Sequence, residues 1–118
     1  MNLLAEVPGE KYKEEIEQTR LSCFLNLAMS YINVKKYQLA IENCNLALRI
    51  EENNTKALFR RGKGKYCQKL YEEAKVDFDL VLRYDESNTQ AKKQRNLCDQ
   101  QIKLQKDREK KMYSKMFN

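Results

Sequence analysis

The sequence predicts an all-α fold of helix-turn-helix pairs, about five helices with a long C-terminal capping helix. Three observations point there. Only three Gly and one Pro occur in 118 residues, too little turn material for a many-stranded sandwich or barrel. Apolar residues recur at three- and four-residue spacing, as in Leu21, Phe24, Leu25, Ala28 and Tyr31, which gathers them on one helix face. The chain also matches itself at an offset of 34 residues, through Phe24/Leu58, Ala28/Gly62, Tyr37/Tyr71, Ala40/Ala74, Leu46/Leu80, Leu48/Leu82, Arg49/Arg83 and Asn54/Asn88.

A 34-residue period belongs to the helix-turn-helix tetratricopeptide repeat. The paired small residues Ala28/Gly62 and Ala40/Ala74 suit close helix approach within a hairpin, and the larger apolar residues around them fill the interface between stacked hairpins. In the first copy a helix begins near Glu10 or Tyr12 and runs past Tyr31. Residues 33–36 turn, and a second helix covers 37–50. The second copy places helices at about 55–68 and 71–84. Glu52-Asn53-Asn54 and Glu86-Ser87-Asn88 supply polar helix starts, with Ser87 and Gln90 at capping-box spacing. Continued backward, the register fails: Arg20, Glu14 and Glu6 stand where the pattern has Asn, Leu and Ala. Val7-Pro8-Gly9 reads as a loop. The expected organisation is therefore a flexible lead-in over residues 1–9, one repeat over 10–54, a second over 55–88 and a basic capping helix over 89–118. Ala91, Cys98 and Ile102 share one face of that last helix, with Leu97 beside them, so its near half docks on the second repeat and its far half projects into solvent. Met112, Tyr113, Met116 and Phe117 form an apolar patch at its end. Two repeats fall short of the three or more that usually make a stable stack. The sequence thus predicts a longer parent domain, a partner chain, or self-association through an uncovered N-terminal face.

The absence of His removes Ser-His and Cys-His nucleophile pairs, an imidazole base and mixed Cys/His zinc sites. Cys23, Cys44, Cys67 and Cys98 lie 21, 23 and 31 residues apart, with no CxxC spacing, and read as small buried side chains in a reducing compartment. No enzyme, metal or cofactor is expected. No apolar run reaches bilayer length and no signal-peptide core opens the chain, so the expected location is cytoplasmic, with nuclear access open. Asn53-Asn54-Thr55 matches a glycosylation acceptor but carries no meaning without a secretory signal. The net charge of +6 is unevenly placed. Residues 1–88 hold 14 basic and 14 acidic side chains, whereas residues 89–118 hold nine and three.

A narrower resemblance rests on Phe24-Leu25-Asn26-Leu27-Ala28, on Lys56-Ala57-Leu58-Phe59-Arg60-Arg61-Gly62, and on the ending from Arg108 to Phe117. Together these resemble the C-terminal tetratricopeptide domain of the large FKBP-type immunophilin co-chaperones, over residues from about 20 to 117. The resemblance implies binding of the extreme C-terminus, Glu-Glu-Val-Asp, of heat-shock protein 90 and sometimes heat-shock protein 70, through a carboxylate clamp. Carried over by position, the clamp members are Asn26, Lys56 and Arg60, with Lys63 about one turn beyond as an auxiliary contact. The residues themselves favour this set. Lys56 and Arg60 are four apart on one helix face, and Asn26 corresponds to Arg60 at the 34-residue offset, so all three are expected on the concave surface. Lys supplies a mobile point charge, Arg a planar two-pronged donor, and Asn an amide that orients a carboxylate. Two further clamp positions belong to a preceding repeat that this sequence lacks, as it lacks the isomerase domain.

Competing readings stand beside this one. Lys56, Arg60 and Arg61 could form an ordinary solvated helix start, although cations in a first turn oppose the helix dipole. Asn26 could be a buried amide satisfied within the hairpin. Phe24, Phe59, Phe78 and Tyr37 read as core, with Phe59 at the groove's border. The basic terminal helix, residues 103–118, could instead bind calmodulin or an anionic surface. Nucleic acid is not expected, since no aromatic residues interleave the cations. A structural scaffold without a peptide site is the third alternative.

Overall fold

The computed structural model describes residues 8–117, and its helices are α1 Pro8–Asn33, α2 Tyr37–Ile50, α3 Thr55–Cys67, α4 Tyr71–Tyr84 and α5 Thr89–Met116. Each helix packs on its neighbours in sequence, and α1 also touches α3 across the hairpins. The architecture is the expected all-α stack of two helical hairpins closed by a fifth helix.

The 34-residue register is reproduced in the hydrogen bonds. Lys35 and Lys69 take left-handed φ values of 63° and 67°, and each turn closes with the same pair of bonds. Lys36 N–H donates to the Tyr31 carbonyl at 2.8 Å and Leu70 N–H to that of Lys65 at 2.9 Å, the six-to-one bond of a Schellman turn. Between hairpins, Asn54 and Asn88 cap α3 and α5, accepting from the amides of Ala57 and Ala91 at 2.9 Å. The expected Ser87–Gln90 capping box is not formed. Ser87 donates to Asp85 Oδ1 instead, because Asn88, one residue later, holds the cap position that Asn54 holds in the first copy.

Small residues set the helix spacing. Ala28, Ala40, Ala47, Ala57, Ala74 and Ala91 are fully buried. A Cβ built on Gly62 would stand 2.9 Å from the Phe78 ring of α4, so α3 and α4 approach as closely as they do only because that atom is missing. Around these contacts, Leu21 packs with Ala47 and Ala57, Leu58 with Val81 and Ala91, and Phe78 with Ala74 and Cys98. Each cluster joins successive helices, so the core is continuous along the stack.

Three expectations are corrected. The loop expected at Val7-Pro8-Gly9 is helical from Pro8 onward; residues 1–7 of the expected lead-in lie outside the described residues. Proline at a first helical position gives up an N–H that has no partner anyway, and after Gly9 no Gly or Pro follows before Gly62. The cysteines do not share one environment: Cys44 and Cys98 are buried, Cys23 and Cys67 exposed. Cys23 occupies the register position of buried Ala57, but among the described residues no helix packs over it. Helix α3 also stops at Cys67 rather than residue 68.

The C-terminal helix runs straight for a physical reason. At the repeat offset, residues 105–118 would form the second helix of a third hairpin, and Arg108 would fall where Ala40 and Ala74 pack at full burial. A guanidinium cannot enter that contact, so α5 continues. It buries Ala91 and Cys98 against α4, and none of its residues beyond Ile102 is buried. With the overhanging first half of α1, this stretches the molecule to 86 × 29 × 24 Å. At the opposite edge Leu27 is 43% exposed, with no hairpin among the described residues packed over it. Among the described residues, no helix is long and apolar enough to cross a membrane.

Two outcomes follow from this packing. Gly62→Ala gains about 1 kcal/mol of helix propensity but drives a methyl into a rigid ring, and a net loss of about 1–2 kcal/mol is expected in urea denaturation. Burial pushes the Cys44 thiol up to about 12 and that of Cys98 up to about 11. At pH 8, therefore, Ellman's reagent should titrate two thiols in the native protein and four in urea. Both folded-state values lie above the usual thiol value of about 8.5, so their contribution to stability is complete below that pH. It should fall as pH rises from about 8.5 towards 11 to 12, which urea melts at pH 8 and about 10.5 would register.

Candidate peptide-binding groove

Helix α3 carries five cations, Lys56, Arg60, Arg61, Lys63 and Lys65, and the helical period sends them two ways. Lys56, Arg60 and Lys63 follow each other at four and three residues and share a face. Arg61 points about 100° away from Arg60, towards α2 and α4.

The three aligned cations line a groove of about 290 Å³ together with Thr55 and Phe59 of α3. Met29 and Ile32 of α1 form one wall, and Asn88 and Gln90 at the start of α5 form the other. Lys56 and Lys63 are exposed and Arg60 is half-buried. No carboxylate lines the groove, and among the described residues none of the three cations lies within 4.0 Å of an acidic group. The starts of α3 and α5 at its rim add positive helix-end potential. Arg60 Nη1 donates to the Leu25 carbonyl of α1 at 2.9 Å, which holds the guanidinium between the two helices. Phe59 meets Phe78 edge-on at 5.4 Å and also walls the groove, as its border position predicted.

Asn26 is placed differently from the other three. It is exposed on α1, next to the carbonyl that Arg60 engages, but it is not among the residues lining the groove. Its exposure overturns the alternative of an amide buried within the hairpin. A larger hollow of about 730 Å³ borders α5, but that helix alone lines it and no second element closes it.

Arg61 is neither solvated nor available to a ligand. Its Nε and Nη2 grip the Asp77 carboxylate at 2.7–3.1 Å, and Nη1 donates to Asn45 Oδ1 at 3.0 Å. Lys65 Nζ stands 3.4 Å from Asp77 Oδ2. Asp77 is 1% exposed, so its charge is met entirely by these partners. This network went unread in the sequence, although Asp77 sits in the apolar stripe Ala74, Phe78, Val81, where a carboxylate requires a buried cation. Met29, Ile32, Asn88 and Gln90 were also missed as groove residues. The offset that pairs Gln90 with Lys56 was the signal for the last. Among the described residues no cluster of Cys, Asp or Glu could hold a metal ion.

No family model matches the chain. It is 42% identical over 104 residues to the bovine (Bos taurus) peptidyl-prolyl cis-trans isomerase FKBP4, across 88% of this chain and 23% of that protein. Its fold superposes on the C-terminal TPR-containing domain of a Plasmodium falciparum FK506-binding protein with a TM-score of 0.73 and 30% identity, over 77% of this chain and 60% of that one. The chain is a tetratricopeptide-repeat segment homologous to part of the FKBP-type isomerases. The chain spans less than a quarter of the bovine protein's length. The stretch it matches is the repeat part rather than the isomerase part, and indicates no enzymatic activity. The first TPR of Spaghetti (RPAP3), solved with the HSP90 peptide SRMEEVD, is similar at a TM-score of 0.66 and 26% identity, over 82% of this chain and 88% of that one.

The contrast between neighbouring cations is measurable. Arg61→Ala strands the Asp77 carboxylate and should cost about 3 kcal/mol in urea denaturation, whereas Lys56→Ala, on the exposed groove face, should stay within about 0.5 kcal/mol of the parent.

Proposed function

We propose that this FKBP-type repeat segment binds the acidic C-terminal peptide, Glu-Glu-Val-Asp, of heat-shock protein 90, with that of heat-shock protein 70 as a related ligand. The observation that carries this reading is the groove's charge: three cations and no carboxylate line it, inside a body whose first 88 residues are electrically balanced. Cations gathered without acidic partners repel one another and gain nothing for the fold, and an anionic ligand removes that cost. The RPAP3 neighbour solved with an HSP90 peptide supports the choice of ligand class.

In this reading Arg60, held by the Leu25 carbonyl, offers its remaining N–H groups to a carboxylate in a fixed direction. Lys56 and Lys63 supply mobile charges on either side. Asn26 orients the carboxylate from the α1 side, at the groove's margin rather than on its floor. Met29, Ile32 and Phe59 give the ligand's aliphatic atoms a surface to cover. Asn26, Lys56, Arg60 and Lys63 form a partial clamp among the described residues.

Charge-assisted hydrogen bonds are worth about 1.5–3 kcal/mol each, so Lys56→Ala or Arg60→Ala should weaken binding about tenfold or more. Titration calorimetry with free-acid and C-terminally amidated Glu-Glu-Val-Asp peptides tests the clamp. The amide should bind at least tenfold more weakly, and equal affinities would refute it.

A further inference from the structure

The 34-residue register lays a ladder of equivalent positions across the concave surface: Ser22 and Asn26 on α1, Lys56 and Arg60 on α3, Gln90 and Gln94 on α5. The three helices present different chemistry at the same place. Helix α3 is cationic, whereas α5 offers neutral amides, and Gln90 lines the groove that Lys56, Arg60 and Lys63 share. Gln90 is exposed, and no side-chain hydrogen bond among the described residues occupies its amide.

We propose that Gln90 is a specificity-determining contact for the peptide residues that precede the acidic terminus, bonding their backbone through both its amide oxygen and its NH₂ group. The inference rests on the proposed peptide-binding function. Its geometry is as follows. Arg60 is tied to α1 through the Leu25 carbonyl, and this fixes the terminal carboxylates near the α1–α3 boundary. An extended peptide advances about 3.3 Å per residue, and packed helices lie about 8–10 Å apart. One helix step therefore consumes about three residues. A four-residue ligand anchored by Arg60 and Lys56 ends before α5, and a seven-residue ligand crosses onto its first turn. An uncharged amide at that point donates and accepts, which matches the alternating N–H and C=O groups of an extended backbone whatever its side chains. A cation in its place would reward only acidic upstream residues.

The test compares two probes, Glu-Glu-Val-Asp and the heptapeptide SRMEEVD, against the parent chain, Gln90→Ala and Gln90→Glu, by titration calorimetry. The parent should bind the heptapeptide several-fold more tightly than the tetrapeptide. Gln90→Ala should lower heptapeptide affinity about threefold to tenfold, the loss of one or two net hydrogen bonds, and leave the tetrapeptide unchanged. Gln90→Glu, which keeps an acceptor and sets a carboxylate opposite the arginine of the heptapeptide, should lower heptapeptide affinity less than Gln90→Ala does. Equal losses on both peptides, or an unchanged heptapeptide affinity in Gln90→Ala, would overturn the assignment of Gln90 while leaving the clamp intact. Failure of the parent to bind either peptide would overturn the clamp itself. Because Gln90 is exposed, circular dichroism and thermal melts of both variants should match the parent.

Discussion

The grip of Arg61 on Asp77 decides how α3 is turned. A carboxylate that is 1% exposed can be held only by a cation that follows it out of water, and the bidentate guanidinium meets that demand at 2.7–3.1 Å. One pinned side chain fixes the rotation of the helix that bears it. Lys56, Arg60 and Lys63 all lie roughly 100–160° around the axis from Arg61, so anchoring Arg61 towards α4 turns all three into the groove. The reach of the same guanidinium to Asn45 of α2 extends the constraint across the boundary between the two hairpins.

That polar anchor works with an apolar one. Gly62, adjacent to Arg61, leaves no Cβ between α3 and the Phe78 ring, so the helices stand near enough for the short, well-aligned contact with Asp77. Close packing and charge satisfaction thus depend on each other. Phe78 in turn meets Phe59, whose ring is part of the groove. A single chain of contacts therefore links the buried carboxylate, the helix spacing and the surface offered to a ligand. Where the chain of repeats stops, that support stops too. Leu27 stands where Arg61 stands in the next copy and is exposed, and Cys23 is exposed where Ala57 is buried.

Much of this was legible beforehand because repetition is itself a structural signal. The offset pairs located four of the helices to within a residue or two, and Asn54/Asn88 did become matching caps. The expectations that failed are local ones with competing outcomes. Pro8 could break a chain or open a helix, and the run of helix formers from Glu10 onward decided for the helix. Ser87 could cap α5, but Asn88 held the better position. Of the candidate site, Lys56, Arg60 and Lys63 were legible from their spacing, since the helical period alone places them on one face. Asn26 reached only the margin, because an offset fixes the face of a residue but not how far the groove extends towards α1.

By itself the sequence determined the repeat, the hairpin pairing, the overhanging terminal helix and the alignment of three cations, all of which are consequences of period along one chain. Only the tertiary structure decided which basic residue pairs with the buried carboxylate and which faces the groove. Arg60 and Arg61 are adjacent and chemically identical, and their roles differ because one faces the Asp77 of a neighbouring helix and the other faces the Leu25 carbonyl beside an open groove. The addition of Gln90 from α5 to that groove is likewise set between helices. Residues 30 positions apart acquire a common surface only when the stack brings their helices side by side.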